Sequence, residues 1–234
     1  MVQAYTPDRV HELMELARPE GAEAFGMQFC RMKKQYKTKE TYKKLFEEAK
    51  LPVYVTNYRQ GENEGMSDDE LADGLLELAE CGATLCDVMG DMFDKQDDEM
   101  AKDEAAIEKQ TALIDELHKR GAQVLMSSHV MKFTPAERVL EIALEQQRRG
   151  ADICKIVTGA ESMAEQIENL RIIDLLKQKL DIPFLFLSVG ESRILRRIGT
   201  SLGNCMTLCV YEHDELSTKE QPLLKDVKLL RDTI

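Results

Sequence analysis

Residues 123–158 read QVLMSSHVMKFTPAERVLEIALEQQRRGADICKIVT. The run QVLMS at 123–127 is apolar and of strand length. Thr134-Pro135-Ala136-Glu137 then reads as a capping box with proline at the first helical position. The helix it opens runs to Arg149-Gly150. DICKIVT at 152–158 is a second apolar, β-branched run. Strand, helix and strand in this order make a parallel pair joined by a right-handed crossover.

The same alternation extends in both directions. Strand-like runs occur at 2–5, 24–31, 52–58 and 83–89 on one side, and at 183–189 and 205–211 on the other. Amphipathic stretches lie between them. One opens at Thr6-Pro7, one covers 39–50, one opens at the capping box Ser67-Asp68-Asp69-Glu70, and one covers 102–120 and stops at Gly121. Further helices cover 162–180 and 194–202, and a last one opens at Gln221-Pro222. Eight strands alternating with eight helices predict a (β/α)8 barrel, built as a single domain over residues 1–234. An open doubly wound sheet is the other α/β solution. It often carries a glycine-rich first turn, and Gly61, Gly65 and Gly74 do not form one.

Composition narrows the function. The chain has 234 residues, a formal net charge of −12, 43% hydrophobic and 32% charged residues. An acidic chain without a basic stripe argues against non-specific nucleic-acid or anionic-membrane partners. No apolar run has the length of a membrane span. Charge is scattered through residues 1–19, unlike a signal peptide. The cysteines Cys30, Cys81, Cys86, Cys154, Cys205 and Cys209 form no CxxC pair and read as reduced thiols, so the expected compartment is the cytoplasm.

In a barrel of this class the chemistry sits at the C-terminal ends of the strands. The polar residues expected there are Arg31, Arg59, Glu62, Glu64, Asp87, His129, Lys155, Ser188, Arg196, Ser217 and Gln221. Arginines, a lysine and a histidine at one mouth predict a small anionic ligand, a carboxylate or a phosphate. Lys155 stands inside the apolar strand. Burying an ammonium is costly and favours the neutral amine, which is the nucleophile that forms Schiff bases. The alternative is a stem that packs inside while the head reaches solvent. His129 ends the preceding strand and could shuttle protons beside such an imine. The acidic run DMFDKQDDEMAKD at 91–103 lacks the spacing of a calcium loop and reads as a solvated loop and helix start.

These residues resemble a known family. Met126-Ser127-Ser128-His129, with Thr134-Pro135 beyond it, is similar to the S-x-H-x-F-x-x-T-P pattern of type I 3-dehydroquinate dehydratase. Gly150-Ala151-Asp152-Ile153-Cys154-Lys155-Ile156 resembles the family's GADIxKIA Schiff-base segment. Leu187-Ser188-Val189-Gly190 with Arg196, Gly199 and Gly203 resembles another segment. Ser217 with Gln221, and residues 52–59 with Glu64-Gly65, resemble two more. The resemblance runs in order from Arg31 to Gln221. It implies a (β/α)8 barrel and dehydration of 3-dehydroquinate to 3-dehydroshikimate in the shikimate pathway, through an imine on Lys155 with His129 moving the protons. It implies that Glu64 orients His129, that Arg196 with Gln221 holds the carboxylate, and that Arg31, Arg59 and Ser217 contact carboxylate or ring hydroxyls. It implies no metal and no cofactor. The expected partner is a small hydroxylated cyclic keto acid. Barrels of this kind often pair, so a homodimer is an open expectation.

The departures are specific. Two residues before Arg31 the pattern has an acid; here Phe29 stands there, with Gln28 or Asp87 as possible substitutes. Phe29 predicts a more apolar pocket wall. Glu64 is one residue further from Arg59 than the pattern, and Glu62 one residue nearer. A shortened loop before Arg196 leaves Arg197 as an alternative, and Val130 replaces the usual Asp after His129. Two other readings therefore stay open: a Schiff-base lyase or aldolase acting on another small carbonyl acid, and a non-catalytic barrel that binds a carboxylate.

Overall fold

The computed structural model describes residues 1–190 and 193–233, so Glu191 and Ser192 of the loop before Arg196 lie outside the described residues. The helices are α1 Pro7–Ala17, α2 Lys39–Ala49, α3 Asp68–Glu80, α4 Glu104–Lys119, α5 Ala136–Arg148, α6 Met163–Lys179, α7 Leu195–Leu202 and α8 Leu224–Thr233. The strands are β1 Phe25–Gln28, β2 Val53–Thr56, β3 Leu85–Met89, β4 Gln123–His129, β5 Ile153–Ala160 and β6 Phe184–Gly190. They follow chain order in the sheet, β1-β2-β3-β4-β5-β6. Among the described residues, no helix is long and apolar enough to cross a membrane.

Local signals set most helix starts. Thr6 accepts from the Arg9 backbone N–H, and Ser67 with Glu70 forms the full capping box of α3. The α5 start differs from expectation by one residue. Pro135 is the N-cap and offers no side-chain acceptor, while the Thr134 hydroxyl donates to the Lys132 carbonyl at 3.2 Å.

Two of the eight expected strands shrink to single bridges among the described residues. Val2 pairs with Met27, after which the chain turns into the Thr6 cap of α1. In the segment 205–211 only Val210 bridges, to Leu223. Beside β6, Asn204 explains the loss of a ladder. Its side-chain amide accepts from the Phe186 N–H at 2.8 Å and donates to the Phe186 carbonyl at 2.9 Å. One side chain thus satisfies two of the backbone groups that a further strand would pair.

The chain forms two compact units: residues 1–87, 115–123 and 208–228, and residues 88–114, 124–207 and 229–234. In the first unit Asn57 donates to the Leu71 carbonyl of α3 at 3.1 Å, so its side of β2 faces that helix. Tyr54 and Thr56 have the opposite parity and point away from it. The register Gln28↔Thr56↔Asp87 puts Gln28 and Asp87 on that same side, turned away from α3. Strand β1 stops at Gln28, and Phe29–Arg31 form a 3₁₀ turn. The turn sends Phe29 onto α2, where its ring meets Tyr42 edge-on at 4.9 Å and Phe46 at 6.0 Å. Phe29 is 2% exposed and belongs to the core. The expectation that it makes a pocket wall apolar is thereby corrected.

In the second unit the Cys154 thiol donates to the Ala143 carbonyl of α5 at 3.2 Å. Gln146 of α5 donates to Ser128 Oγ at 3.1 Å and to the Lys155 carbonyl at 3.3 Å. The side of the sheet that carries Ser128 and Cys154 therefore faces α5.

Candidate active site

Lys155 has the parity opposite to Cys154, so its side chain leaves β5 on the side away from α5. It is 4% exposed. Its register partners are Ser127 on β4 and Leu185 on β6. His129 pairs with Val157, two residues past Lys155 on the same side. Neighbouring strands and this offset put the two Cα atoms about 8 Å apart, within joint reach of a lysine and an imidazole. An amine and a proton carrier on one face are what imine chemistry at a carbonyl requires.

His129 is held by a residue the sequence reading left in solvent. Glu99 Oε2 lies 3.0 Å from His129 Nδ1 and also accepts the His129 backbone N–H. Glu99 belongs to the acidic run after β3, and its backbone is left-handed, φ +47. Ser128 Oγ donates to the Glu99 carbonyl at 2.9 Å. Buried Arg149 donates to the carbonyls of Gly90, at 3.1 Å, and Ala101, at 2.7 Å, at the two ends of the loop. Asp98 pairs with Arg138 of α5 at 2.6 Å, and Asp94 accepts from the N–H groups of Lys102 and Asp103. The loop is thus pinned along its length. Its sequence carries no sign of this, because acids before a helix look the same when they are merely solvated.

Arg196 is buried at the start of α7, with Nε donating to the Ser188 carbonyl at 2.8 Å. Arg197 is exposed and donates to the Arg193 carbonyl at 3.1 Å. Ser188 Oγ accepts from Asn169 of α6 at 3.1 Å, so this serine faces a helix.

The first unit holds the remaining candidates. Arg59 makes a two-pronged pair with Asp68 at the start of α3, at 2.6 and 2.7 Å. Arg31 closes the 3₁₀ turn after β1, and its buried Nε has no hydrogen-bond partner among the described residues. Asp87 is buried and accepts from the hydroxyls of Tyr54 and Tyr58. Burial, then the Asp87 charge, pushes the Tyr54 phenol well up. Gln28 accepts from Gln3 at 2.6 Å, and Gln3 also donates to Thr218 at 2.9 Å. Ser217 sits in a turn with Asp214, whose N–H it accepts at 3.0 Å. Gln221 is buried, and its Oε1 has no hydrogen-bond partner among the described residues. Glu62 and Glu64 lie in and after a 3₁₀ turn, with Glu64 exposed. The residue between them, Asn63, is buried and donates to Asn57 at 2.7 Å and to the Tyr58 carbonyl at 2.9 Å.

Lys155 and His129 thus sit on one strand pair, in the order that the Schiff-base segments suggested. The profile of the type I 3-dehydroquinase family matches residues 2–231. The chain belongs to the type I 3-dehydroquinase family. Among curated relatives, the 3-dehydroquinate dehydratase of Klebsiella pneumoniae subsp. pneumoniae is 33% identical over 119 residues, covering 50% of this chain and 46% of the relative. That of Alkaliphilus oremlandii is 30% identical over 139 residues, covering 58% and 52%. In these matches the chain spans about half the length of the curated relative. Among solved structures, the 3-dehydroquinate dehydratase of Geobacillus kaustophilus superposes with a TM-score of 0.81 at 18% identity, covering 99% of this chain and 88% of that one. The type I enzyme of Clostridium difficile gives 0.79 at 18% identity, covering 100% and 91%. This likeness shows the fold, the TIM-like α/β class expected from the strand–helix alternation.

Proposed function

We propose that this protein is a 3-dehydroquinate dehydratase that works through an imine on Lys155. The observation that carries the reading is the shared face of Lys155 and His129 in a chain of this family. Lys155 Nζ attacks the ketone carbon, and the oxygen leaves as water to give a protonated imine. That imine is an electron sink. His129 takes a proton from the adjacent carbon, and the C–H electron pair moves into the imine as an enamine. The enamine then expels the hydroxyl of the next carbon, which His129 protonates to water. Hydrolysis of the imine releases 3-dehydroshikimate and restores the amine. On this reading Arg196 holds the carboxylate, and Arg31, Arg59, Ser217 and Gln221 are further substrate contacts carried over from the family pattern. Phe29 no longer speaks for a different substrate, because it packs on α2.

The test is incubation with 3-dehydroquinate, following the ultraviolet absorbance of the conjugated enone. The expected turnover is on the order of 1 per second or faster. Borohydride should trap a substrate adduct on Lys155, seen by peptide mass. Folded protein with neither turnover nor adduct would overturn the reading.

A further inference from the structure

We infer that Glu99 is the positioning residue of His129, and that it replaces, from a different loop, the carboxylate that the family pattern places after Arg59. This rests on the reading of His129 as the proton carrier. The pattern position lies between Glu62 and Glu64, which is Asn63. That side chain is committed to Asn57, the Tyr58 carbonyl and Lys37. Asn63 carries no charge, and both ends of its amide are engaged, the nitrogen with Asn57 and the Tyr58 carbonyl and the oxygen with Lys37.

Three independent features converge on Glu99. Its carboxylate bonds both the ring and the main chain of one residue, His129. A carboxylate on Nδ1 favours the tautomer with the proton on that nitrogen and leaves Nε2 as the base. The second bond, to the backbone, ties the carboxylate to the strand and so limits rotation of the ring. Next, Glu99 is left-handed, a conformation that a non-glycine residue adopts at a cost unless its surroundings impose it. Finally, those surroundings are present. A β-carbon on Gly90 would meet the Glu99 carbonyl at 2.5 Å, so only glycine lets the loop close onto the strand end. Gln146 ties the Lys155 carbonyl to Ser128, and Ser128 ties itself to the Glu99 carbonyl. The lysine strand and the carboxylate loop are therefore clamped to one another through two side chains.

The experiment reads the histidine directly. Full-length protein labelled with ¹⁵N-histidine is studied by NMR, with the His129 signals assigned by their loss in His129→Asn. The wild type should show His129 with the proton on Nδ1. Glu99→Ala should move it towards the Nε2-protonated form, while Glu99→Gln, which keeps an oxygen acceptor, should hold it. In turnover, Glu99→Ala should lose about tenfold or more in kcat, with KM within about twofold, since the interaction orients the proton carrier and does not touch substrate. Glu99→Gln should be intermediate. Circular dichroism separates these effects from unfolding, and the glutamine variant keeps the test open if the alanine variant unfolds. A wild-type proton on Nε2, a tautomer unmoved in Glu99→Ala, or one that follows Glu64→Gln overturns the assignment. A tautomer that follows Glu99 in a protein without dehydroquinate turnover sinks the dehydratase reading and leaves the positioning role standing.

Discussion

Lys155 and His129 share one side of the sheet, on neighbouring parallel strands and two residues apart in register. That side is the one turned away from α5, because Cys154 and Ser128, of opposite parity, bond to α5. Both side chains are thereby carried by strands, which position a side chain more precisely than a loop does.

The lysine can be tested alone. Lys155→Met keeps the unbranched stem and removes the amine. The variant should lose the borohydride-trapped adduct and all turnover. Its unfolding free energy should change by no more than about 1.5 kcal/mol, as for a volume-conserving swap. A retained adduct in the variant would place the imine on another amine.

Phe29 and Gln28 should respond to an introduced acid to different degrees. Phe29→Glu drives a carboxylate between Tyr42 and Phe46 and should destabilise the fold by about 3–5 kcal/mol, read from urea unfolding. Gln28→Glu places the acid on the side of the sheet turned away from α3, where a carboxylate oxygen can still accept from Gln3, and should cost no more than about 1 kcal/mol. Equal losses would show that Phe29 does not pack as described.

Arg149 holds the loop that carries Glu99. Its side chain is 2% exposed and donates to Gly90, Ala101, Gln110 and Glu145. Arg149→Met removes the donor to the Ala101 carbonyl and to Gln110 Oε1, while the Gly90 carbonyl keeps the Ala101 N–H and Gln110, and should cost about 2–4 kcal/mol. Hydrogen exchange should rise across 90–103 more than in β5. Uniform loosening of the unit would count against a local role for this arginine.

Acid should loosen the same loop. Burial pushes the Asp98 carboxyl up, but the bond from Arg138 and the charge of Lys102 outweigh it and hold Asp98 below its ordinary value. The Lys102 and Asp103 backbone N–H groups hold Asp94 down as well. For both groups the folded state binds fewer protons than the unfolded one. Their stabilisation is therefore full above the ordinary carboxylate value of about 4 and is lost as pH falls through the lowered folded values. Amide exchange at Lys102 and Asp103, corrected for the intrinsic rate, should accelerate on acidification below about pH 4. Protection that grows on acidification would contradict the sign.

Much of this was legible in the residues. The alternation of apolar runs and amphipathic stretches announced the parallel α/β class, since side-chain period and capping are local properties. Lys155 inside an apolar strand and His129 at the end of its neighbour were visible for the same reason. The limits lie at particular residues. Nothing in 205–211 announces that Asn204 takes the Phe186 backbone groups by its side chain. Nothing near Phe29 announces that β1 ends at Gln28, three residues before Arg31, and turns the ring onto α2.

The sequence by itself determined the class of fold, the family, and the strand pair bearing the amine and the imidazole. Each of these is written in spacings of a few residues along one strand or helix. Only the tertiary structure decided which carboxylate meets that imidazole. Glu99 and His129 stand 30 positions apart. Their meeting depends on a glycine that admits the loop, a left-handed turn, and anchors from Arg149 and Arg138 on and beyond α5. Local patterns encode hydrogen bonds within a turn or a strand. A contact closed across a long loop is selected by the packing of everything around it.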